Sequence, residues 1–406
     1  MTDALIAPAA TARYSAKREA IVAAATDVLN QRGVRGMTLA LVAERVGLIT
    51  TSVTYYFKKK DELAAACFVS GIGRLMALVA KARREPTASE RLSRLIGLYL
   101  ELRARIRAGV EPDIPIFSDI RALSPETQGA AGYAYGRLFR AVRALFAAPG
   151  GEHLRRGEAT ARTHILLEQI HWAESWLGRY EPGDYPAVAE RMHDALTGGL
   201  VAPGAVWAPH ALALGGEAAP TGRDAFLHAA TRLINRRGYR GASVELISAE
   251  LNVTKGSFYH HHSAKDDVVV ACFERSFGLV ERAQDLAAAE PGDAWTKLTS
   301  AAAALVAFQF SPGGPLLRTT AFAALPEPIR AETIARCSHL SDRFVALIAE
   351  GAAEGVLRRA DPFVAAQMLN ATLNAAADLP ALLRGVAAPV AVQLYARPFF
   401  EGLVSR

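Results

Sequence analysis

Apolar residues recur at helical spacing along most of this chain, and one stretch of that pattern occurs twice. Ile21, Ala24, Ala25, Val28 and Leu29 mark one face of a helix, and Phe226, Ala229, Ala230, Leu233 and Ile234 mark the same face of another. Gly33 and Gly238 close these helices. Thr38 and Ser243 then stand at N-cap positions before a shorter helix. Its buried face is Leu39, Val42, Ala43 and Val46 in one place and Val244, Ile247, Ser248 and Leu251 in the other. Gly47 and Asn252 tolerate the left-handed backbone of a tight turn and predict a break before a third helix. That helix is Thr50–Phe57 in the first copy and Lys255–His262, after the capping Thr254, in the second. Helices in this order make a helix-turn-helix. Strand-like alternation is scarce in the Ala-, Leu- and Arg-rich remainder, so the predicted fold class is all-α.

Setting the chain against itself at an offset of 205 aligns Ile21–Phe68 with Phe226–Phe273 without a gap, with fifteen identities in forty-eight positions. Thr26/Thr231, Gly33/Gly238, Ser52/Ser257, Lys60/Lys265 and Cys67/Cys272 are among them. The chain therefore reads as a tandem duplication. Residues 1–60 hold an N-terminal arm and the first helix-turn-helix, and 61–200 a first helical regulatory domain. A linker over 201–221 is rich in Ala, Pro and Gly, with Glu217 its one charged residue. A second helix-turn-helix over 222–265 and a second helical domain over 266–406 follow. Helical text fills 61–84, 88–108, 124–146, 151–179 and 185–200 in the first half. In the second half it fills 266–289, 293–310, 326–350, 362–383 and 388–403. Residues up to Ser15 are small and polar enough to form a mobile arm.

Of the formal net charge of +6, residues 11–60 carry nine basic against three acidic side chains, and 221–265 carry seven against three. The rest of the chain is therefore net acidic, and the basic character sits in two short segments, as phosphate-binding modules require. No apolar run is long enough to span a bilayer and the first residues lack a signal-peptide pattern, so a cytoplasmic protein without a membrane partner is expected. Cys67, Cys272 and Cys337 are too widely spaced for a disulfide framework or a cysteine-rich zinc site and read as reduced core residues. Motifs of hydrolases, metalloproteases and phosphate-cradling loops are absent, which argues against an enzyme and assigns no cofactor.

The last helix of a helix-turn-helix enters the major groove, where small polar and aromatic side chains reach phosphates and base edges. The first copy offers Thr50, Thr51, Ser52, Thr54, Tyr55, Tyr56 and Lys58, with Thr38 at the preceding cap. Thr254, Lys255, Gly256, Ser257, Tyr259, His260 and His261 are their counterparts in the second copy, with Ser243 at the cap. Lys60 and Lys265 sit near the start of the next helix, where a phosphate is within reach. Double-stranded operator DNA is the expected partner.

Carried by these residues, the chain resembles the TetR family of one-component bacterial regulators, whose signature joins an Ala-Ala helix, a Gly, a Thr-rich cap and a Tyr-x-Tyr-Phe-x-x-Lys-x-x-Leu ending. Tyr56, Phe57, Lys60 and Leu63 fit in the first half, where Thr54 replaces the first aromatic and Thr51 the usual Gly. Gly256, Ser257, Phe258, Tyr259 and Lys265 fit in the second, where His262 stands for Phe and Val268 for Leu. The resemblance implies that the last two long helices of each unit pair with those of another, and that the preceding helices enclose a pocket for a small-molecule effector. A tandem chain can supply both partners as a covalent pseudo-dimer, while two chains remain free to form a homodimer.

Candidate effector-binding residues are Phe117, Tyr133, Phe139, Trp172, Phe308 and Phe322, with His164, Glu168 and His171. Helix-core packing is the plainer role for each aromatic taken singly. His164, Glu168 and His171, spaced four and three apart, share a helix face with metal-ligand chemistry, although buried polar pairing is the commoner outcome. Consecutive His260, His261 and His262 diverge by about 100° and cannot converge on one ion. The expected function is a ligand-responsive transcriptional regulator, a repressor on an asymmetric operator, released by an apolar or aromatic effector. The alternative is a ligand-binding or interaction protein in which one or both helix-turn-helix units have lost specific DNA binding.

Overall fold

The computed structural model describes residues 7–216, 218, 220–250 and 265–404. Among the described residues there is no strand, and the β contact is an isolated antiparallel bridge between Val201 and Leu357. The chain divides into two compact units, residues 1–77 with 105–138 and residues 78–104 with 139–406.

In the first unit, α1 (Ala7–Gly36) bends at Gly33, whose φ of 64° suits a residue without Cβ. α1 begins before Ser15, where sequence predicts a mobile arm. Its Ala-rich start favours helix, and the Tyr14 ring packs on Tyr56 with centroids 4.7 Å apart. Helix α2 (Leu39–Val46) is capped by the Thr38 hydroxyl, which accepts from Leu41 N–H at 3.2 Å, and ends on Gly47 in the left-handed region at φ 70°. Helix α3 (Thr50–Tyr56) follows. Ile21, Ala25, Leu29, Met37, Val42, Val53 and Phe57 are buried between these helices and α4 (Lys60–Ala82). Helix α4 is long and apolar enough to cross a membrane, a possibility that counting unbroken apolar runs passes over, and half of its apolar window is buried. Leu63, Ala64, Cys67, Phe68, Ile72 and Leu75 are the residues that account for its apolarity as a core helix.

Helices α5 (Ala88–Arg107), α6 (Pro125–Arg143), α7 (Arg156–Leu177) and α8 (Tyr185–Gly198) complete the first half. In the second half, α9 (Gly222–Gly241) and α10 (Val244–Glu250) precede α11 (Lys265–Ala289), α12 (Ala294–Phe308), α13 (Glu327–Glu354) and α14 (Pro362–Ala375). A last helical stretch, residues 388–401, carries a π-type turn over Val392–Ala396. The division into units does not follow the linker. Trp295 Nε1 donates to the Val206 carbonyl at 2.9 Å, His210 N–H to Ser300 Oγ at 2.8 Å, and the Trp207 ring packs on Trp295 and Phe400. These contacts tie 201–216 into the second unit.

The duplication extends to individual contacts. Cys67 Sγ faces the Val22 carbonyl and Cys272 Sγ the Leu227 carbonyl, at 3.6 and 3.4 Å. Asn30 donates to the Ile114 carbonyl at 3.0 Å and accepts from Ile116 N–H at 3.1 Å. Asn235 treats Leu316 and Arg318 in the same way, at 2.8 and 3.0 Å. One amide side chain thus satisfies both a donor and an acceptor of an irregular segment that enters a short 3-10 turn, Phe117–Ala122 or Thr319–Ala324.

Asn30→Ala and Asn235→Ala are each expected to lower stability by about 1–3 kcal/mol, the cost of stranding two backbone groups, and a shift in urea midpoint reads this. An unchanged midpoint would mean that the clamp is replaceable by water. Burial pushes the Cys67 thiol up to about 12 and Cys272 to about 11, so both should resist alkylation at neutral pH until the protein unfolds.

Candidate nucleic-acid interface

The turn between α2 and α3 is fixed from within. Gly47 allows the left-handed step, Leu48 N–H returns to the Ala43 carbonyl at 2.8 Å, and Val53 is fully buried beneath the third helix. With Val53 facing inward, the helical repeat leaves Thr50, Thr51 and Tyr55 exposed and Ser52, Thr54 and Tyr56 half-buried. Tyr55 is 67% exposed, and Tyr14, Tyr55 and Tyr56 form an aromatic group with centroids 4.7 to 6.2 Å apart. Tyr14 belongs to α1, so that group braces the outer face of α3. The Arg18 guanidinium lies 5.0 Å from the centroid of the buried Phe57 ring.

Several of the predicted contacts have local partners. The Thr38 hydroxyl caps α2, and the Thr54 hydroxyl donates back to the Thr51 carbonyl at 2.9 Å. Lys60 Nζ donates to the Val34 and Arg35 carbonyls at 3.4 and 3.0 Å, which neutralises the carbonyl end of α1. Lys58 is exposed, and its backbone N–H is held by Glu62 Oε2 at 3.2 Å.

The scaffold of the second copy repeats this plan as far as Glu250. The Ser243 hydroxyl accepts from Leu246 N–H at 3.3 Å, and Gly238 takes φ 71°. Arg45 donates to Gln31 at 3.1 Å in the first copy, and Arg236 pairs with Glu250 at 2.7 Å at the corresponding positions of the second. Thr254, Lys255, Gly256, Ser257, Tyr259, His260, His261 and His262 lie outside the described residues, and Lys265 opens α11.

The predicted effector residues have separate surroundings. Phe117 is buried against Tyr135 at 6.1 Å, whereas Tyr133 is 67% exposed. Phe139 is half-buried and Phe308 buried. Phe322 packs on Phe273 at 4.6 Å, against the core of the second helix-turn-helix. Trp172 Nε1 donates to Gln367 of α14 at 3.3 Å, and the neighbouring Gln169 reaches the Met368 carbonyl and the Thr372 hydroxyl at 3.1 and 3.0 Å.

His164 and Glu168 are in buried polar pairing, the commoner outcome for such spacing, within an ionic group whose partners Arg318, Asp378 and Tyr395 the sequence does not foreshadow. Arg318 donates to Glu168 Oε2 at 2.6 Å and to Asp378, and His164 Nδ1 meets the Tyr395 hydroxyl at 3.0 Å. His164, Glu168 and Asp378 offer ligand atoms within 4.8 Å of one another, but the Arg318 guanidinium already holds both carboxylates, which disfavours a second cation there. His171 is not part of that triad. Burial pushes the Glu168 carboxyl up, yet Arg318 with His164 and His171 holds it below the usual carboxylate range. Burial also pulls the His171 imidazole down, so it is neutral at pH 7.

The model for bacterial regulatory proteins of the tetR family matches residues 21–67 and again 226–272. The Tn10 transposon TetC protein of Escherichia coli is 31% identical over 58 residues, which span 14% of this chain and 29% of that protein. Among solved structures, the TetR family regulator PfmR from Thermus thermophilus is similar with a TM-score of 0.38 and 21% identity, over 44% of this chain and 98% of its own. AibR in complex with isovaleryl coenzyme A and operator DNA gives a TM-score of 0.36 and 17% identity, over 44% and 96%. FadR from Bacillus subtilis in complex with stearoyl-CoA gives 0.33 and 16%, over 42% and 95%. The two matched segments show that this chain carries two modules of the tetR family type in tandem.

Proposed function

We propose that the chain is a ligand-responsive repressor whose two halves pair as a covalent pseudo-dimer on an asymmetric operator. One observation carries the reading: the modules keep one scaffold, down to equivalent caps and asparagine clamps, while the residues that would face DNA differ. Thr50, Thr51 and Ser52 align with Lys255, Gly256 and Ser257. A repeated scaffold with unlike reading residues calls for unlike half-sites. Pairing of the halves is supported by the bonds from Gln169 and Trp172 of α7 to α14, and by the edge-on contact of Trp176 with Phe363 at 6.1 Å.

Two reading helices must reach successive major grooves about 34 Å apart, or a multiple of that distance. An apolar or aromatic effector that binds the state with the wrong separation better than the right one releases the DNA. Such a regulator meets its operator in the cytoplasm, and further pairing of two chains is open to it. The second reading, a ligand-binding or interaction protein in which one or both helix-turn-helix units have lost specific DNA binding, rests on His262: its counterpart Phe57 is buried beneath α3, where an imidazole packs less well.

Sequence-specific binding to DNA from upstream of the chain's own gene, weakening steeply with salt and absent for a scrambled duplex, tests the first reading. Weak binding to both duplexes that persists for random-pool DNA would favour the second. Lys58→Ala is expected to weaken binding uniformly across sequences and to lower the salt slope by about one unit, as loss of one phosphate contact does. Thr51→Ala should instead cost about 1–3 kcal/mol at one half-site and leave the other unchanged, read by footprinting. Equal losses at both half-sites would contradict an asymmetric pseudo-dimer.

A further inference from the structure

The segment 314–325 has two faces. On one, Leu317, Ala321 and Leu325 are buried in the core of the second helix-turn-helix with Phe226, Leu233 and Ile247. On the other, the Arg318 side chain, 6% exposed, holds Glu168 of α7 at 2.6 Å and also Asp378. The backbone N–H of the same residue donates to Asn235 of α9 at 3.0 Å. A two-step link therefore joins the first helix of the second module to a long helix of the first half: Asn235 to Arg318, and Arg318 to Glu168.

The first half has the clamp without the link. Ile116 takes the place of Arg318, its N–H donating to Asn30 at 3.1 Å, and its alkyl side chain has no charge to offer a carboxylate. The clamps align through a shift of 205 and the clamped segments through a shift of 202, so a single offset along the chain does not pair Ile116 with Arg318.

We propose that Arg318 is a positioning residue for DNA reading by the second helix-turn-helix alone, making the placement of that module depend on the Glu168 carboxylate of the first half. The proposal rests on the DNA-reading function above. Removing one partner of a buried ion pair leaves an uncompensated charge, so the group left behind moves toward water or toward a new partner. Enclosed as it is, the Arg318 side chain has little room to swing alone, so a shift of its guanidinium pulls on the backbone that Asn235 holds to α9. Ile116 transmits no such displacement to α1. Any event on α7 that shifts or neutralises Glu168 thus reaches one module and spares the other, and the two half-sites would be released unequally.

Amide hydrogen exchange on the full chain tests this in wild type, Arg318→Met and Glu168→Gln. The second variant leaves Arg318 paired with Asp378, which guards against simple misfolding, and a thermal melt checks the fold of both. Exchange over residues 222–250 is expected to quicken by about twofold to thirtyfold in both variants, with residues 21–56 unchanged. Footprints on a duplex selected from a random pool should weaken over the second half-site and persist over the first. Unchanged exchange over 222–250 in a folded Glu168→Gln protein, or equal acceleration in both modules, overturns the proposal and reduces Arg318 to a structural ion pair. Acceleration confined to 222–250 in both variants, with a wild-type protein that gives no sequence-specific footprint, would support the Arg318 link and remove the DNA-reading function instead.

Discussion

One asparagine in each module fixes its first helix to an irregular segment of the same unit. An irregular segment crosses beneath each helix-turn-helix and has no regular ladder to satisfy its N–H and C=O groups. The carboxamides of Asn30 and Asn235 each supply one donor and one acceptor to that segment. With the backbone held, the following 3-10 turn can present Phe117 and Ile120, or Ala321 and Leu325, to the apolar interior. Side chains of another type at these positions could fill the space but could not make both bonds.

Much of this architecture is legible in the sequence, because its controlling features are local. A period of 3.6 marks α1 and α9, a Thr or Ser predicts the caps that Thr38 and Ser243 make, and Gly47 marks the left-handed step. The start of α1 is less legible, since its packing partner Tyr56 lies 42 positions beyond Tyr14. Lys60 shows the same limit differently. A lysine beside a helix-turn-helix looks like a phosphate contact, but the carbonyl end of α1 provides a nearby partner that only folding reveals. The group formed by His164, Glu168, Arg318, Asp378 and Tyr395 draws its members from both halves of the chain, and no spacing rule reaches that far. The nearest hint is a single Arg318 following two leucines in an otherwise uncharged stretch, where an uncompensated charge would be costly once buried.

Duplication gave this chain two copies of its caps, clamps and helix crossing among the described residues, and these copies diverged without loss of geometry. Gln31 with Arg45 and Arg236 with Glu250 occupy equivalent positions, yet one is a neutral amide with a cation and the other a full ion pair with the cation on the opposite helix. Both bridge the first and second helices of their module. Exposed pairs of this kind contribute little to stability, so the chemistry can drift while the helix crossing persists. Backbone-directed bonds have no such latitude, which is why the clamps and caps recur while surface side chains do not.

The buried charges near α7 follow a different logic. Two carboxylates, Glu168 and Asp378, share one guanidinium, and His164 Nε2 stands 3.9 and 4.0 Å from them. Desolvating such a group offsets most of its Coulombic gain, and well-packed apolar residues of equal volume would be as stable or more so. What an apolar cluster would lack is direction. Leucines tolerate sliding past one another, whereas a planar guanidinium held by carboxylates from two elements accepts few arrangements. The contribution of Arg318 is therefore to alignment more than to stability, and alignment is the quantity on which the proposed pseudo-dimer, with its two reading helices at a set separation, would depend.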